Sequence, residues 1–243
     1  MLEGLYSAAA GMSAQQTQLD AISNDLANLS TNGYKSERVA FSDLLYNRVE
    51  IAGTETTAGA GAKAQILGRA QSQGALKETG NPFDLAIEGS GYFQVTRSNG
   101  TRALTRNGAF QVDADGSISD AAGNRLFPPI KGPKGVSGEQ VRITSDGTVT
   151  AQGKKLGQIK LVTVAAPDHL RGEGDSLLLA TKESGEAKAV RAGKIHQGAL
   201  EDSNVDIGLD MATMMSTQRN YQMASTAIQT ESQMMQIANQ LRA

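Results

Sequence analysis

The chain has 243 residues, with 25 Asp and Glu against 23 Lys and Arg, for a formal net charge of −2. Cysteine is absent, which excludes disulfides, thiolate metal sites and cysteine nucleophiles, and two distant histidines, His169 and His196, leave little for zinc or a histidine relay. The near-neutral balance gives no nucleic-acid footprint, and no apolar run approaches the ~18 residues of a membrane span.

Residues 1–30 hold three acids, Glu3, Asp20 and Asp25, and no base. Leu5, Met12, Leu19 and Leu26 recur every seven residues, with Ala8, Ile22 and Leu29 on the adjoining row. A sustained seven-residue apolar repeat predicts a helix packed in coiled-coil fashion. Asn32-Gly33 supplies a left-handed cap to end it. The segment 52–64, AGTETTAGAGAKA, has no periodicity, so 47–70 is expected to be a flexible linker or loop.

The middle reads as β-structure. Runs suited to strands are Tyr92–Thr96, Ala109–Val112, Val141–Thr144, Gln158–Val164 and Ser176–Thr181. Asn99-Gly-Thr, Asp115-Gly-Ser and Asp146-Gly-Thr share one hairpin form, because Asn or Asp followed by Gly tolerates positive φ. The spacing suits a mostly antiparallel sandwich or small barrel. Pro128-Pro129 and Lys131–Gly135 mark an exposed loop. Gln73-Gly-Ala-Leu76 returns as Gln197-Gly-Ala-Leu200, where the chain joins and leaves the β-region, and the two copies are expected to pair as extended segments.

At the far end Met214, Tyr221, Ile228 and Met235 again step by seven, and Ala227, Met234 and Leu241 widen the stripe. Ser, Thr, Asn and Gln number fifteen from 213 to 240, whereas 206–243 holds only five charges. A solvated helix carries charge on its outer face, so this uncharged polar face suits a helix surrounded by other helices. The fold class is therefore α+β. Residues 1–46 with 205–243 form a discontinuous terminal helical domain. Residues 71–204 form a central β-rich domain, with connecting segments 71–81 and 194–204.

No motif for chemistry survives comparison with its plainer reading. Asp113-Ala-Asp115-Gly116 lacks the spacing and closing Glu of a calcium loop and reads as a hairpin. Gly59–Lys63 lacks the P-loop spacing, and Gly89-Ser90-Gly91 lacks the nucleophile elbow. No catalytic set, cofactor or metal site is expected, and the chain reads as a non-enzyme.

The stretch Ser23-Asn-Asp-Leu-Ala-Asn-Leu-Ser-Thr-Asn-Gly-Tyr-Lys35 resembles the N-terminal signature of the bacterial flagellar rod and hook axial family. Asn24, Leu26, Ala27, Asn28, Thr31, Gly33, Tyr34 and Lys35 match it, and Asp25 stands where a second Asn is usual. Residues 84–95 and 105–113 are similar to the family's β-domain motif, and 197–205 with 218–221 to its C-terminal helical region. The opening is most similar to the distal-rod branch, and the proximal-rod branch is the alternative. The resemblance implies a structural subunit of the basal-body rod, the flagellar drive shaft, self-assembling into a helical tube through terminal helices. The packing residues would be Leu5, Met12, Leu19, Ile22, Leu26 and Leu29, with Met214, Tyr221, Ile228, Met235 and Leu241. Implied partners are further copies, neighbouring rod and hook proteins, the type III export apparatus and the outer bushing rings. Export would proceed without a cleaved signal peptide or membrane insertion. A different class of function is a β-module that binds an envelope polymer.

Overall fold

The computed structural model describes residues 2–44, 46–51, 54–131, 141–190 and 193–241. It divides into two units: residues 1–27, 37–67 and 206–243 make one, and residues 28–36 and 68–205 the other.

The first unit is built on two helices, α1 (Leu2–Ala27) and α2 (Ile207–Gln240). At 1.5 Å per residue they are about 39 and 51 Å long. Asp206 caps α2, its Oδ1 accepting from Gly208 N–H at 2.9 Å and Leu209 N–H at 3.1 Å. The helices run antiparallel. Gly4 approaches Glu231 closely enough that a Cβ there would stand 3.0 Å from its Oε2, and Asp25 faces Asp210 at the other end.

The segment 47–70 is expected as a flexible linker or loop, and its described residues fall largely in strands. Strand Glu37–Asp43 pairs with Ala62–Arg69, and Tyr46–Ile51 pairs antiparallel with Thr54–Gly59, from Tyr46↔Gly59 to Ile51↔Thr54. The ribbon runs back along α1. Glu37 N–H donates to Asp25, and seven residues later Leu44 N–H donates to the carbonyl of Gly61, which abuts Ser7 and Ala10. About 23 Å of strand thus spans about 25 Å of helix.

The second unit is the β-unit. Its largest sheet has seven strands in the order Arg171–Gly172, Leu177–Leu179, Arg102–Thr105, Phe93–Thr96, Arg125–Phe127, Ile118–Asp120, Phe110–Val112, all neighbours antiparallel. A three-stranded sheet joins Val141–Ile143, Thr148–Ala151 and Lys154–Gln158. One core closes between them on Ile87, Phe93, Val95, Leu126 and Val149, and Phe93 meets Phe110 edge-on at 5.3 Å. The expected strand Gln158–Val164 is broken. Both Ile159 and Leu161 turn into the core, and Ile159 N–H bonds Gly147 O instead of a ladder partner.

The three Asn/Asp-Gly turns are hairpins with glycine at φ 80°, 76° and 83°, each with the same two backbone bonds. A fourth, at Asp120–Asn124, repeats the pattern with Gly123. The segments that carry the Gln-Gly-Ala-Leu copies pair, Leu76–Glu78 lying antiparallel to Ala199–Glu201, but the register offsets the copies so that neither faces the other. Both glutamines reach inward to backbone groups, Gln73 to Ile87 O and Gly89 N, Gln197 to Ile143 N, Pro82 O and Val141 O. Of the proline-rich loop, 132–135 lies outside the described residues.

Candidate assembly surfaces and the signature strap

The inward seam of α2 alternates steps of four and three: Asp210, Met214, Thr217, Tyr221, Ala224, Ile228, Glu231 and Met235. Thr217 is fully buried and the others are partly buried. This is the 3.5-residue period of a coiled coil. On α1, Leu5, Met12, Leu19 and Leu26 are half-buried, while Ala14, Ala21 and Ile22 are fully buried.

The stripe is narrower than its sequence suggests. Ala227, Met234 and Leu241 lie off the seam, with Leu241 84% exposed. Leu209, Met211, Met215, Met223 and Ile237 of α2 are exposed as well. A shallow groove of about 510 Å³ runs between Ala212, Met215, Ser216, Arg219, Asn220 and Met223. The threonine hydroxyls of α2 are quiet. Thr213, Thr217, Thr226 and Thr230 each donate their hydroxyl to the carbonyl four residues back, at 2.8–2.9 Å. These hydroxyls are spent within the helix.

Asp210 is the misfit of the seam. Its Oδ2 is buried without a hydrogen-bond partner. Burial, then the charges of Asp25 and Asp206, push its pKa above the ordinary 3.8. The folded chain therefore holds this proton to higher pH than the unfolded chain. Its contribution to stability is full below 3.8 and declines as pH rises through the raised value. Thermal melts of the helical unit should thus show greater stability near pH 4 than near pH 7 from this residue, and Asp210→Asn should raise stability at pH 7 and flatten that dependence.

The signature does not continue the helix. α1 stops at Ala27, and Thr31 N–H bonds Asn28 O at 3.0 Å while Thr31 Oγ1 bonds Asn28 Oδ1 at 3.1 Å. The chain turns there, so Leu29 belongs to the β-unit and not to the helix stripe. Gly33 is left-handed, φ 68°, as expected, but six residues beyond the helix it is no cap. Its N–H donates to Glu201 O at 2.7 Å, and a Cβ would lie 2.5 Å from the Arg106 carbonyl carbon. Of the other signature residues, Asn24 Nδ2 donates to Glu37 Oε1 at 3.4 Å, Leu26 is half-buried, and Ala27 is exposed. Asp25 is 4% exposed and accepts the Glu37 N–H with both oxygens.

Residues 28–36 form a strap across the β-unit, ending in a buried charge cluster. Glu201 is 1% exposed, Lys35 6% and Arg106 8%. Glu201 accepts from Lys35 Nζ, from Arg106 Nη1 at 3.1 Å and from Gly74 N–H at 3.0 Å. Lys35 Nζ also donates to Ser72 O at 2.7 Å, and Arg106 Nη2 to Gly89 O at 2.6 Å. Burial pushes the Lys35 ammonium below its usual pKa, against the pull of Glu201. Tyr34 is buried with the Arg69 guanidinium 5.5 Å over its ring. Asn204 finishes the junction: its Oδ1 accepts Ser36 N–H at 2.8 Å and its Nδ2 donates to Ser72 O and Oγ. Arg106 and Glu201 both fall in stretches that the sequence singles out, but spacing alone gives no sign that they meet.

Three family profiles match the chain. They are described as flagella basal body rod protein over residues 5–35, flagellar hook protein FlgE/F/G D1 domain over 86–151, and flagellar basal body rod FlgEFG protein C-terminal over 196–241. The chain is 35% identical to the flagellar basal-body rod protein FlgG of Borreliella burgdorferi, covering 100% of this chain and 99% of that one. It is also 35% identical to the FlgG of Bacillus subtilis over 97% of each chain. Against the flagellar basal-body rod protein FlgF of Caulobacter vibrioides, identity is 29% over 87% of each. The chain belongs to the flagellar basal-body rod protein family, on its distal-rod (FlgG) side, and is a structural subunit of the basal body.

Proposed function

We propose that the chain polymerises into the rod by burying the outer face of α2 against the helices of further copies. The observation that carries this reading is the largely apolar outer face: Leu209, Met211, Met215, Met223, Met234 and Ile237 stand exposed on α2 with Arg219 among them, and Leu241 is exposed just past its end. A monomer gains nothing by exposing so much apolar surface, whereas a helical array covers it. Methionine adapts to contacts that differ around such an array. On this reading Leu5, Met12, Leu19, Ile22, Leu26, Met214, Tyr221, Ile228 and Met235 hold the helical pair together, and Leu241 serves contacts between copies. The chain reaches the rod through the type III export apparatus, meets neighbouring rod and hook proteins and passes the bushing rings, and it has no catalytic role.

The double variant Met215→Glu/Met223→Glu tests the contact in the full chain. Both side chains are exposed, so the single chain keeps its fold. Burying two carboxylates that share one cation, Arg219, should raise the critical concentration for filaments about tenfold or more. Sedimentation and negative-stain imaging read the outcome, and filaments at the wild-type concentration would remove this face from the assembly.

A further inference from the structure

We infer that the occupant of the α2 groove is the outer row of α1 from a second copy, held in register by an ion pair between Asp20 of that copy and Arg219. This rests on the proposed burial of the α2 face and names what covers it. Exposed residues of α1 fall at Tyr6, Ala9, Ser13, Gln16, Asp20 and Ser23, in alternating steps of three and four. That is the 3.5-residue period of a coiled-coil seam, which the single chain leaves exposed. At about 100° per residue the row lies on the side of α1 opposite Gly4 and Asp25, which face α2.

Charge selects this pairing of faces. α1 holds Glu3, Asp20 and Asp25 and no base, and Asp20 is the charge on the exposed row. α2 holds Asp210 and Glu231 on its inward seam, and its one cation, Arg219, lines the groove of about 510 Å³. Gln16 Nε2 donates to Asp20 Oδ1 at 2.8 Å and steadies the carboxylate along the row. Among the described residues neither Asp20 nor Arg219 has an ion-pair partner. Contacts of α1 with α1, or of α2 with α2, would bring together faces of like charge, whereas α1 with α2 joins opposite ones. The levels agree as well. Gly4 lies level with Glu231 and Asp25 with Asp210, which sets Asp20 level with Met215. Arg219 is four residues further on, about 6 Å along the axis. Copies set side by side with that small shift bring the two charges together and seat Met215 beside Ser23. The contact runs head to tail, so it repeats from copy to copy without closing on itself.

Charge reversal in the full chain tests the pair. Asp20→Arg and Arg219→Asp should each raise the critical concentration for filaments about tenfold at low salt, since like charges then meet. Asp20→Arg/Arg219→Asp in one chain should return to within about threefold of the parent, and an equal mixture of the two single variants should polymerise where neither does alone. Below the critical concentration the effects of the two reversals on thermal melts should add, because within one chain the residues lie on opposite faces of the helical pair. Losses that multiply in the doubly reversed chain would overturn the pair, and so would coupling between the two residues in the unassembled chain. If Met215→Glu/Met223→Glu blocks filaments and Asp20→Arg does not, the α2 face remains an assembly surface and α1 is not its occupant. If neither variant moves the critical concentration, the reading of the α2 face falls together with its occupant.

Discussion

Glu201→Ala should destabilise the β-unit by about 3–5 kcal/mol, because it strands two buried cations next to each other. Lys35 and Arg106 are both more than nine-tenths buried, and Glu201 is their shared anion. Urea unfolding followed by circular dichroism in the β-region would show a lower midpoint with an unchanged slope. Lys35→Met should cost clearly less, since Glu201 keeps Arg106 and the Gly74 N–H. Equal losses for the two variants would mean that the cluster acts by packing and not by charge. Replacing all three residues by apolar ones of similar volume should recover much of the loss, as expected when a whole buried ion group is removed.

Gly33→Ala is the second large effect. Alanine at φ 68° costs about 1–2 kcal/mol from backbone strain. Overlap with the Arg106 backbone adds about 1–3 kcal/mol. The sum, about 2–5 kcal/mol, falls on the seat of the strap and not on the sheet core, so the strap should open far more often while the core survives. Limited proteolysis would then cut within 28–36, where the parent resists. Persistence of the parent pattern would place the stability of the strap in Tyr34 and Lys35 alone.

Much of the helical unit was legible because its period is dictated by packing. Met214, Tyr221, Ile228 and Met235 fall on the seam that their spacing predicts. The polar seam residues Asp210 and Glu231 were invisible to a search for apolar repeats. Leu29 continued the repeat on paper and left it in space, since the Asn28–Thr31 turn breaks the helix first. Hairpins such as Asp146-Gly147 were legible because their backbone needs a residue that tolerates positive φ.

The ribbon 46–69 was not legible. Its strand Ala62–Arg69 alternates in burial only at its start, in a two-stranded pairing with Glu37–Asp43. The charge cluster was hidden for another reason. Glu201 lies 95 residues from Arg106 and 166 from Lys35, and ion pairing across the fold leaves no spacing in the sequence.

The paired ribbon also constrains how this chain can change length. Each residue added to both of its strands extends it by about 3.4 Å. One such addition reverses the facing of every side chain beyond it, whereas two restore it. Insertions there should come in even steps per strand, like the teeth of a ratchet, and neither the helix seam nor the β-core would register them.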